Sequence, residues 1–224
     1  MNSNNPFRVF FFGDSICFGQ GISLHKGWVT RISAELSQMG AARGRDIVVI
    51  NVSISGNTTR QALERMPYDV QSQNPDAVIV QFGMNDCNYW ETDKGNPRVS
   101  PDAFFANLRE IIMRSVTFGA QRIFLHTNHP SARNKKPMAH TTFTYQQSNR
   151  LYNELIRKVA SSAGDIVTLT DVENEFEKYT QGDEEKLLSL LLPEPDLLHL
   201  SEAGHDLYFK TVYPTIKHSL LEII

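Results

Sequence analysis

Short apolar runs alternate with longer segments of helical periodicity along the chain. The runs are rich in Val, Ile and Phe and are bounded by turn-forming residues, so each is predicted to be a β-strand. Strands that alternate with helices are typical of a parallel sheet covered by helices. The predicted strands are Phe7 to Phe12, Asp46 to Ile54, Asp76 to Phe82, Arg122 to His126 and Ile166 to Leu169.

The segments between these runs carry helix start signals and apolar residues at helical spacing. Asn57 and Thr58 are candidate caps of one helix, and Ser100 followed by Pro101 is a candidate start of another. The predicted helices run from Trp28 to Met39, onward from the Asn57 and Thr58 caps, from Pro101 to Phe118, from Tyr145 to Ala163 and from about Ala203. The last helix is predicted to place on one face Phe209, Val212, Tyr213, Ile216 and Leu220.

Five strands with four intervening helices predict one flavodoxin-like domain over residues 1–224, because right-handed crossovers leave few other ways to connect parallel strands. This fold class is a single-domain three-layer α/β/α sandwich with a five-stranded parallel sheet. In such sheets the working site lies at the carboxyl ends of the strands. The long loops 86–100 and 128–142 are candidate substrate walls.

The composition fits one ordinary globular domain. Of 224 residues, 41% are hydrophobic and 21% are charged, which is enough for a self-sufficient core. The 22 Lys and Arg residues against 25 Asp and Glu give a formal charge of −3, so no basic field favours nucleic acid. Cys17 and Cys87 are too few for a disulfide framework or a four-cysteine zinc site.

The first residues predict a cytoplasmic protein without a secretory leader. The apolar run from Phe7 follows a neutral polar tail, whereas a leader has about 7–15 apolar residues behind positive charge. No stretch approaches the roughly 20 apolar residues of a membrane span, so membrane insertion is not expected. The residues do not indicate an oligomeric state.

Three residues at the predicted strand ends could form a nucleophile and its base. A serine hydroxyl attacks a carbonyl only when a base takes its proton, and imidazole is a good base when an acceptor holds its other nitrogen. Ser15 follows the first strand, and Asp196 lies three residues before His199 in a proline-flanked turn. This spacing lets the carboxylate reach Nδ1 and leaves Nε2 free to face Ser15.

Acyl transfer also requires donors aimed at the oxyanion. The candidates are the backbone N–H groups of Ser15 and Gly56 and the side-chain amide of Asn85, which follow three different predicted strands.

With these segments in order, the chain resembles the SGNH hydrolase superfamily, the GDSL-type esterases and lipases. The resemblance spans Gly13 to Gly204 and rests on Gly-Asp-Ser at Ser15, a glycine at Gly56, Gly-x-Asn-Asp at Asn85 and Asp-x-x-His at Asp196 and His199. It implies Ser15 as nucleophile, Asp196 and His199 as its partners, and Ser15, Gly56 and Asn85 as the oxyanion hole. Ile16 replaces the leucine of the family name.

Other polar residues have structural interpretations. Asp14 and Asp86 are expected to brace loops, and His205 to pack at a helix start. Gly19 and Gly21 resemble the start of a dinucleotide-binding loop, but the third glycine of that motif is missing. His126 and His129 have a spacing found in metal sites, but no third ligand lies nearby in the sequence. Neither a cofactor nor a metal is therefore expected.

The candidate substrate-binding residues mix aromatic and polar groups. They are Phe18, Asn88, Tyr89, Trp90 and His129. Such a lining suits a small-molecule ester with a small acyl group such as acetyl, including a carbohydrate O-acetyl ester. A lysophospholipase or acyl thioesterase remains an alternative, since the leucine-rich run 187–192 could face an acyl chain. A catalytically inactive ligand-binding protein on the same fold is the non-enzyme alternative.

Overall fold

The computed structural model describes residues 5–224. The polar residues 1–4, on which the expectation of no secretory leader partly rests, lie outside this range. The strands are β1 (Phe7–Gly13), β2 (Ile47–Asn51), β3 (Ala77–Gln81), β4 (Arg122–His126) and β5 (Val167–Thr170). They form one parallel sheet in the order β2-β1-β3-β4-β5, which confirms the predicted flavodoxin-like fold.

Two helical layers cover this sheet. The α-helices within residues 5–224 are α1 (Ser15–Phe18), α2 (Trp28–Ala42), α3 (Thr59–Asp69), α4 (Pro101–Thr117), α5 (Tyr145–Ser162), α6 (Val172–Thr180), α7 (Glu184–Ser189) and α8 (Glu202–Leu221). Helix α2 packs against α8, whereas α3, α4 and α5 pack against one another in succession. Short 3₁₀ helices span Leu24–Lys26, Gln71–Gln73 and Glu91–Asp93.

The hydrophobic pattern does not predict α1, α6 and α7. Helix α1 has only four residues and α7 only six, so neither shows a helical period. Helix α6 is mostly polar and buries mainly Val172 and Phe176. It begins where the Asp171 side chain accepts the N–H of Asn174. Asp14 and Asp183 cap α1 and α7 in the same way, so side-chain capping rather than an apolar stripe marks where these three helices begin.

The end of β2 differs from the sequence prediction. The predicted strand continues to Ile54, whereas β2 ends at Asn51. Beyond it the N–H of Val52 still donates to Phe11 O at 2.9 Å, and the N–H of Ile54 donates to Gly13 O at 3.1 Å. The chain thus follows β1 irregularly to its carboxyl end, where the next loop begins.

The buried face of α8 also differs from the prediction. Tyr208 is fully buried and stacks on Trp28 of α2, with ring centroids 4.5 Å apart. Phe209 lies outside the core, where it stacks on Tyr213 and is covered by the guanidinium group of Arg31, 4.2 Å from the ring centroid. Aromatic residues occupy neighbouring faces of this helix, so the apolar pattern alone does not show which face is buried.

The central strands fix the edge of the sheet at which the candidate site lies. Every residue of β3 is buried, as is all of β1 except the partly buried Arg8. Strands covered on both faces are typical of parallel sheets, and close packing leaves them little freedom to shift. Within residues 5–224, no helix combines the length and the apolarity that crossing a membrane requires.

Candidate active site

Ser15 lies at the junction of β1 and α1. The strand ends at Gly13, Asp14 caps the helix, and Ser15 is the first helical residue. Its side chain faces the carboxyl edge of the sheet and is almost buried, with the residue 5% exposed. A hydroxyl at this position is held by both the strand and the helix, which restricts the directions it can take.

The first turn of α1 leaves one backbone donor free. The N–H of Ile16 donates to Asp14 Oδ1 at 3.0 Å, that of Cys17 to Gln81 Oε1 at 3.1 Å and that of Phe18 to Asp14 O at 2.9 Å. Among the described residues, none accepts the N–H of Ser15. The first N–H groups of a helix have no intrahelical partner, so this donor is available to a ligand.

The segment 190–201 is a hydrogen-bonded loop that carries Asp196 and His199. The N–H of Ser201 donates to Leu190 O at 2.9 Å, and the N–H of Leu192 donates to His199 O at 2.7 Å. Leu191 and Leu200 form an antiparallel bridge between the two sides. These bonds deliver the carboxylate and the imidazole to the site as one unit.

The Asp196 carboxylate accepts three hydrogen bonds. Its Oδ1 accepts the N–H of Leu198 at 2.9 Å and the N–H of His199 at 2.6 Å, and its Oδ2 lies 2.7 Å from His199 Nδ1. Partial burial alone would raise the pKa of Asp196, but these hydrogen bonds outweigh it and hold the pKa below the usual range. An ionised carboxylate only accepts, so the His199 proton in this bond belongs to Nδ1.

His199 Nε2 lies 2.9 Å from Ser15 Oγ. With a proton on Nδ1, Nε2 is an acceptor, so the Ser15 hydroxyl donates to it. The structure therefore brings together Ser15, His199 and Asp196 in the order that lets imidazole take the hydroxyl proton.

The other two predicted oxyanion donors lie in the loops that follow β2 and β3. Gly56 has φ of +80° in an exposed turn, a conformation that favours glycine, and added side-chain atoms would meet open space there. Asn85 Oδ1 accepts from Arg98 Nη1 at 3.1 Å, whereas Asn85 Nδ2 is buried and has no partner in residues 5–224. No acceptor in residues 5–224 lies within hydrogen-bond distance of this donor, although the Asn85 side chain is near enough to the Asp14 carboxyl to lower its pKa.

Two buried carboxyl groups lie beside the nucleophile. Burial, together with the charge of Asp86, raises the pKa of Asp14 to about 7, and burial raises that of Asp86 to about 6. Asp86 Oδ1 accepts both the N–H of Thr59 at 2.9 Å and its hydroxyl at 2.5 Å. Asp86 therefore connects the loop after β3 to the start of α3, as expected of a bracing residue, whereas Asp14 Oδ1 accepts the N–H of Ile16 and caps α1.

The predicted substrate-binding residues divide into exposed and buried ones. Phe18 is 53% and Trp90 49% exposed, so both present apolar surface to solvent. Tyr89 is partly buried with its ring edge against Phe143. His129 is fully buried, stacks on Phe176 and has its Nδ1 2.8 Å from Pro130 O, so the structure does not bring this ring to a surface that a substrate reaches.

A cavity of about 440 Å³ lies beside the loop of Asp196 and His199. It is lined by Asn88, Ala132, Arg133, Lys135, Lys136, Met138, Tyr145, Glu194, Pro195 and Leu197. Arg133 joins the cavity wall to the catalytic loop, because its Nε donates to Asp196 O at 2.7 Å. Charged and apolar side chains therefore share this lining, and five of the lining residues belong to the loop 128–142.

The cysteines and the buried histidines have packing environments. Burial raises the pKa of Cys17 and of Cys87 far above the usual range, so both stay neutral thiols. His205 Nδ1 accepts the N–H of Trp28 at 3.4 Å, as expected of a packing residue. In the part of the chain that the structure describes, no three His, Cys, Asp or Glu side chains are placed to hold a metal.

Two residues that support the site, Gln81 and Arg98, are not identified from the sequence. Gln81 accepts from Cys17 through Oε1 and donates from Nε2 to Asn128 Oδ1 at 3.1 Å, which supports the base of α1. A polar residue at the end of a buried strand is the signal that could have identified Gln81. Arg98, which contacts Asn85, lies in a long loop where no local pattern distinguishes it.

Comparisons with known proteins agree with this geometry. A model of the GDSL-like lipase/acylhydrolase family matches residues 11–207. The arylesterase of Vibrio mimicus is 28% identical over 123 residues, 55% of this chain and 56% of the relative. The acetylxylan esterase of Geobacillus stearothermophilus is 26% identical over 212 residues, 88% of each chain. Thioesterase 1/protease 1/lysophospholipase L1 of Escherichia coli K12 is 26% identical over 110 residues, 47% of this chain and 50% of the relative.

The lengths matched differ between these relatives. The matches to the Vibrio mimicus arylesterase and to esterase TesA of Pseudomonas aeruginosa span only about half of each relative, 56% and 50%. Among solved structures, the acetyl xylan esterase AlAXEase superposes with a TM-score of 0.72 at 23% identity, over 94% of this chain and 100% of that one. This likeness shows a shared fold.

The buried Asp14 carboxyl predicts a pH-dependent stability. Its pKa rises from 3.8 to about 7 on folding, so between these values the folded protein keeps a proton that the unfolded chain loses. This contribution stabilises the fold at low pH and is lost as pH rises toward 7. We expect Asp14→Asn, which can still cap α1 but does not ionise, to lose less unfolding free energy across this range in urea titrations.

The exposed carboxylate Asp165 offers a matched control. Asp165→Asn should leave the slope of stability against pH close to that of the wild type. Identical slopes for Asp14→Asn and the wild type would show that Asp14 is already ionised in the folded protein throughout this range.

Proposed function

The chain belongs to the GDSL-like lipase/acylhydrolase family, and we propose that it is a carboxylic-ester hydrolase whose nucleophile is Ser15. The observation that carries this proposal is the 2.9 Å separation of His199 Nε2 and Ser15 Oγ, with His199 Nδ1 held 2.7 Å from Asp196 Oδ2. A serine so placed can be deprotonated as it attacks. The short distance also disfavours a purely ligand-binding role for the site.

Acylation follows from this geometry. Ser15 Oγ bonds to the ester carbonyl carbon while its proton passes to His199 Nε2. The carbonyl oxygen becomes an oxyanion that accepts from the free donors of Ser15, Gly56 and Asn85. As the carbon–oxygen ester bond breaks, the proton on Nε2 moves to the leaving alcohol oxygen, and an acyl-serine remains.

Deacylation repeats the same steps with water. His199 Nε2, now neutral, takes a proton from a water molecule whose oxygen attacks the acyl carbon. The same donors hold the second oxyanion, and the proton returns to Ser15 Oγ as the acid leaves. Asp196 stays ionised throughout and stabilises the imidazolium that forms twice in each cycle.

The surroundings of the site support a small acyl group, such as acetyl, on a polar alcohol that includes carbohydrates. Phe18 and Trp90 present exposed aromatic surface, of the kind that packs on sugar rings beside hydrogen-bonding groups. The 440 Å³ cavity mixes Arg133, Lys136 and Glu194 with apolar residues, so it suits a polar group better than a lipid chain. The similarity to an acetylxylan esterase over most of the chain supports the same substrate class.

An acyl thioesterase or lysophospholipase is the second candidate. A neighbouring cavity of about 360 Å³ is lined partly by Leu188, Leu191 and Leu197, which could receive a longer acyl chain. The leucine run is not a free lid, however, because Leu190 and Leu191 are buried in the core.

We predict that Ser15→Ala and His199→Ala each lower kcat for p-nitrophenyl acetate by about 10⁴-fold or more, since each removes one half of the proton-transfer pair. Neither variant should be labelled by a fluorophosphonate. The exposed residues Ser161 and His25 provide matched controls, and Ser161→Ala and His25→Ala should keep wild-type turnover. Wild-type activity in folded Ser15→Ala would refute the proposal.

Asp196→Asn should lower kcat, but less than Ser15→Ala does. Asp196 receives three donors, and an asparagine amide can accept at only one of its two ends. The amide therefore breaks the backbone bonds or faces Nδ1 with its own donor, which favours the tautomer that blocks Nε2. Stopped-flow and steady-state rates test this, and full activity would reduce Asp196 to a structural brace.

The acyl group is tested by a chain-length series of p-nitrophenyl esters. A small acyl pocket predicts that kcat/KM is highest for acetate and falls beyond about four carbons, because a longer chain meets charged lining. Acetylated xylooligosaccharides should be deacetylated by the wild type and not by Ser15→Ala. A kcat/KM that rises with chain length would instead support the thioesterase or lysophospholipase alternative.

A further inference from the structure

Arg98 contacts the two oxyanion donors that lie outside α1. Its Nη1 donates to Asn85 Oδ1 and its Nη2 donates to Gly56 O, both at 3.1 Å. We infer that Arg98 is a positioning residue that aims the Asn85 amide and the Gly56 turn at the oxyanion. This inference rests on the proposed function, because it assigns Arg98 a part in the same reaction.

The orientation of the Asn85 amide depends on its partner. An asparagine amide can turn over and exchange its oxygen and nitrogen with little change in shape. A guanidinium group has donors and no acceptor, so Arg98 binds Asn85 only when Oδ1 faces it. Nδ2 then points away, and it is buried without a partner within residues 5–224. The reversed amide would present Oδ1 to the oxyanion and repel it.

The Gly56 turn needs a second anchor for a different reason. The turn is exposed, and its glycine has no side chain to fix the backbone at φ +80°. The peptide group between Gly56 and Asn57 is held on one edge by the N–H of Asn57, which donates to Ile54 O at 3.2 Å. The bond from Arg98 to Gly56 O holds the opposite edge of the same peptide group, which restricts ψ of the glycine and so the direction of its own N–H.

The loop after β3 holds Arg98 in place. The backbone N–H of Arg98 donates to Asn88 O at 2.9 Å, and that of Val99 donates to Asp86 O at 3.2 Å. The ring of Trp90 covers the guanidinium group, with its centroid 4.2 Å from the central carbon. Backbone bonds and this cation–π contact together restrict the rotamers of Arg98. The loop 86–100 therefore holds the Arg98 guanidinium group in a fixed position beside Asn85 and the Gly56 turn.

Substitution of Arg98 should affect kcat more than KM. Removing one oxyanion donor typically costs 10²–10³ in turnover, so misaimed donors in Arg98→Met should lower kcat by roughly 10–100-fold. KM for p-nitrophenyl acetate should change by less than about threefold, since the donors act mainly in the transition state. Arg109→Met, which removes an arginine beside Phe105 on α4, is the matched control and should leave kcat unchanged.

Two further variants separate positioning from general stability. Arg98→Lys keeps the charge but cannot reach both Asn85 Oδ1 and Gly56 O, so it should retain only part of the wild-type kcat. This variant also serves as the test if Arg98→Met does not fold. Added guanidinium should restore part of the kcat of Arg98→Ala and should not stimulate the wild type. Restoration by lysine to the full wild-type rate would show that charge alone suffices and would overturn the inference.

A double-mutant cycle tests the path through Asn85. If Arg98 acts by aiming the amide, Arg98→Met should cost only a few-fold in an Asn85→Ala background, with the Gly56 contact accounting for the remainder. If the kcat losses of Arg98→Met and Asn85→Ala multiply fully in the double variant, the inference is overturned. If hydrolysis depends on Ser15 but Arg98→Met has an unchanged kcat, only the role of Arg98 is overturned. If hydrolysis survives Ser15→Ala, the proposed function and this inference are overturned together.

Discussion

His199 is held at both ring nitrogens, by Asp196 on one side and by Ser15 on the other. The two partners come from opposite ends of the chain, so this arrangement exists only if the end of β1 and the loop before α8 keep their relative position. Trp28 connects the two ends: its indole N–H donates to Ile16 O at 2.9 Å, and its backbone N–H donates to His205 Nδ1. A buried residue of α2 thus fixes the helix of the nucleophile relative to the helix that follows the base.

Beneath this contact, buried polar groups replace the apolar packing found elsewhere in the core. Gln81 and Asn128 link α1 to β4, and the carboxyl of Asp86 links the loop after β3 to the start of α3. Burying such groups is costly unless they are hydrogen-bonded, and here most of the bonds are made. Buried donors without a partner remain within residues 5–224, among them Asn128 Nδ2, and those of Ser15 and Asn85 are the ones that we propose an oxyanion accepts.

The fold and the main site residues could be predicted because their signals are local. The strand Arg122–His126 coincides with its predicted bounds, and the three-residue spacing of Asp196 and His199 already allows their hydrogen bond. Tertiary contacts determine what could not be predicted. Arg98 donates to the carbonyl of Gly56, 42 residues away in sequence, and the His129 ring stacks on Phe176 from α6.

The central claim is that an acyl group passes through Ser15. Rapid acid quench of the wild-type protein mixed with p-nitrophenyl acetate, followed by peptide mass spectrometry, measures this directly. The account predicts an acetyl group on the peptide that contains Ser15, formed within the first turnover and lost at the rate of steady-state hydrolysis. Acetate release at the full rate with Ser15 unmodified at every time, or with the acetyl group on another residue, would contradict it.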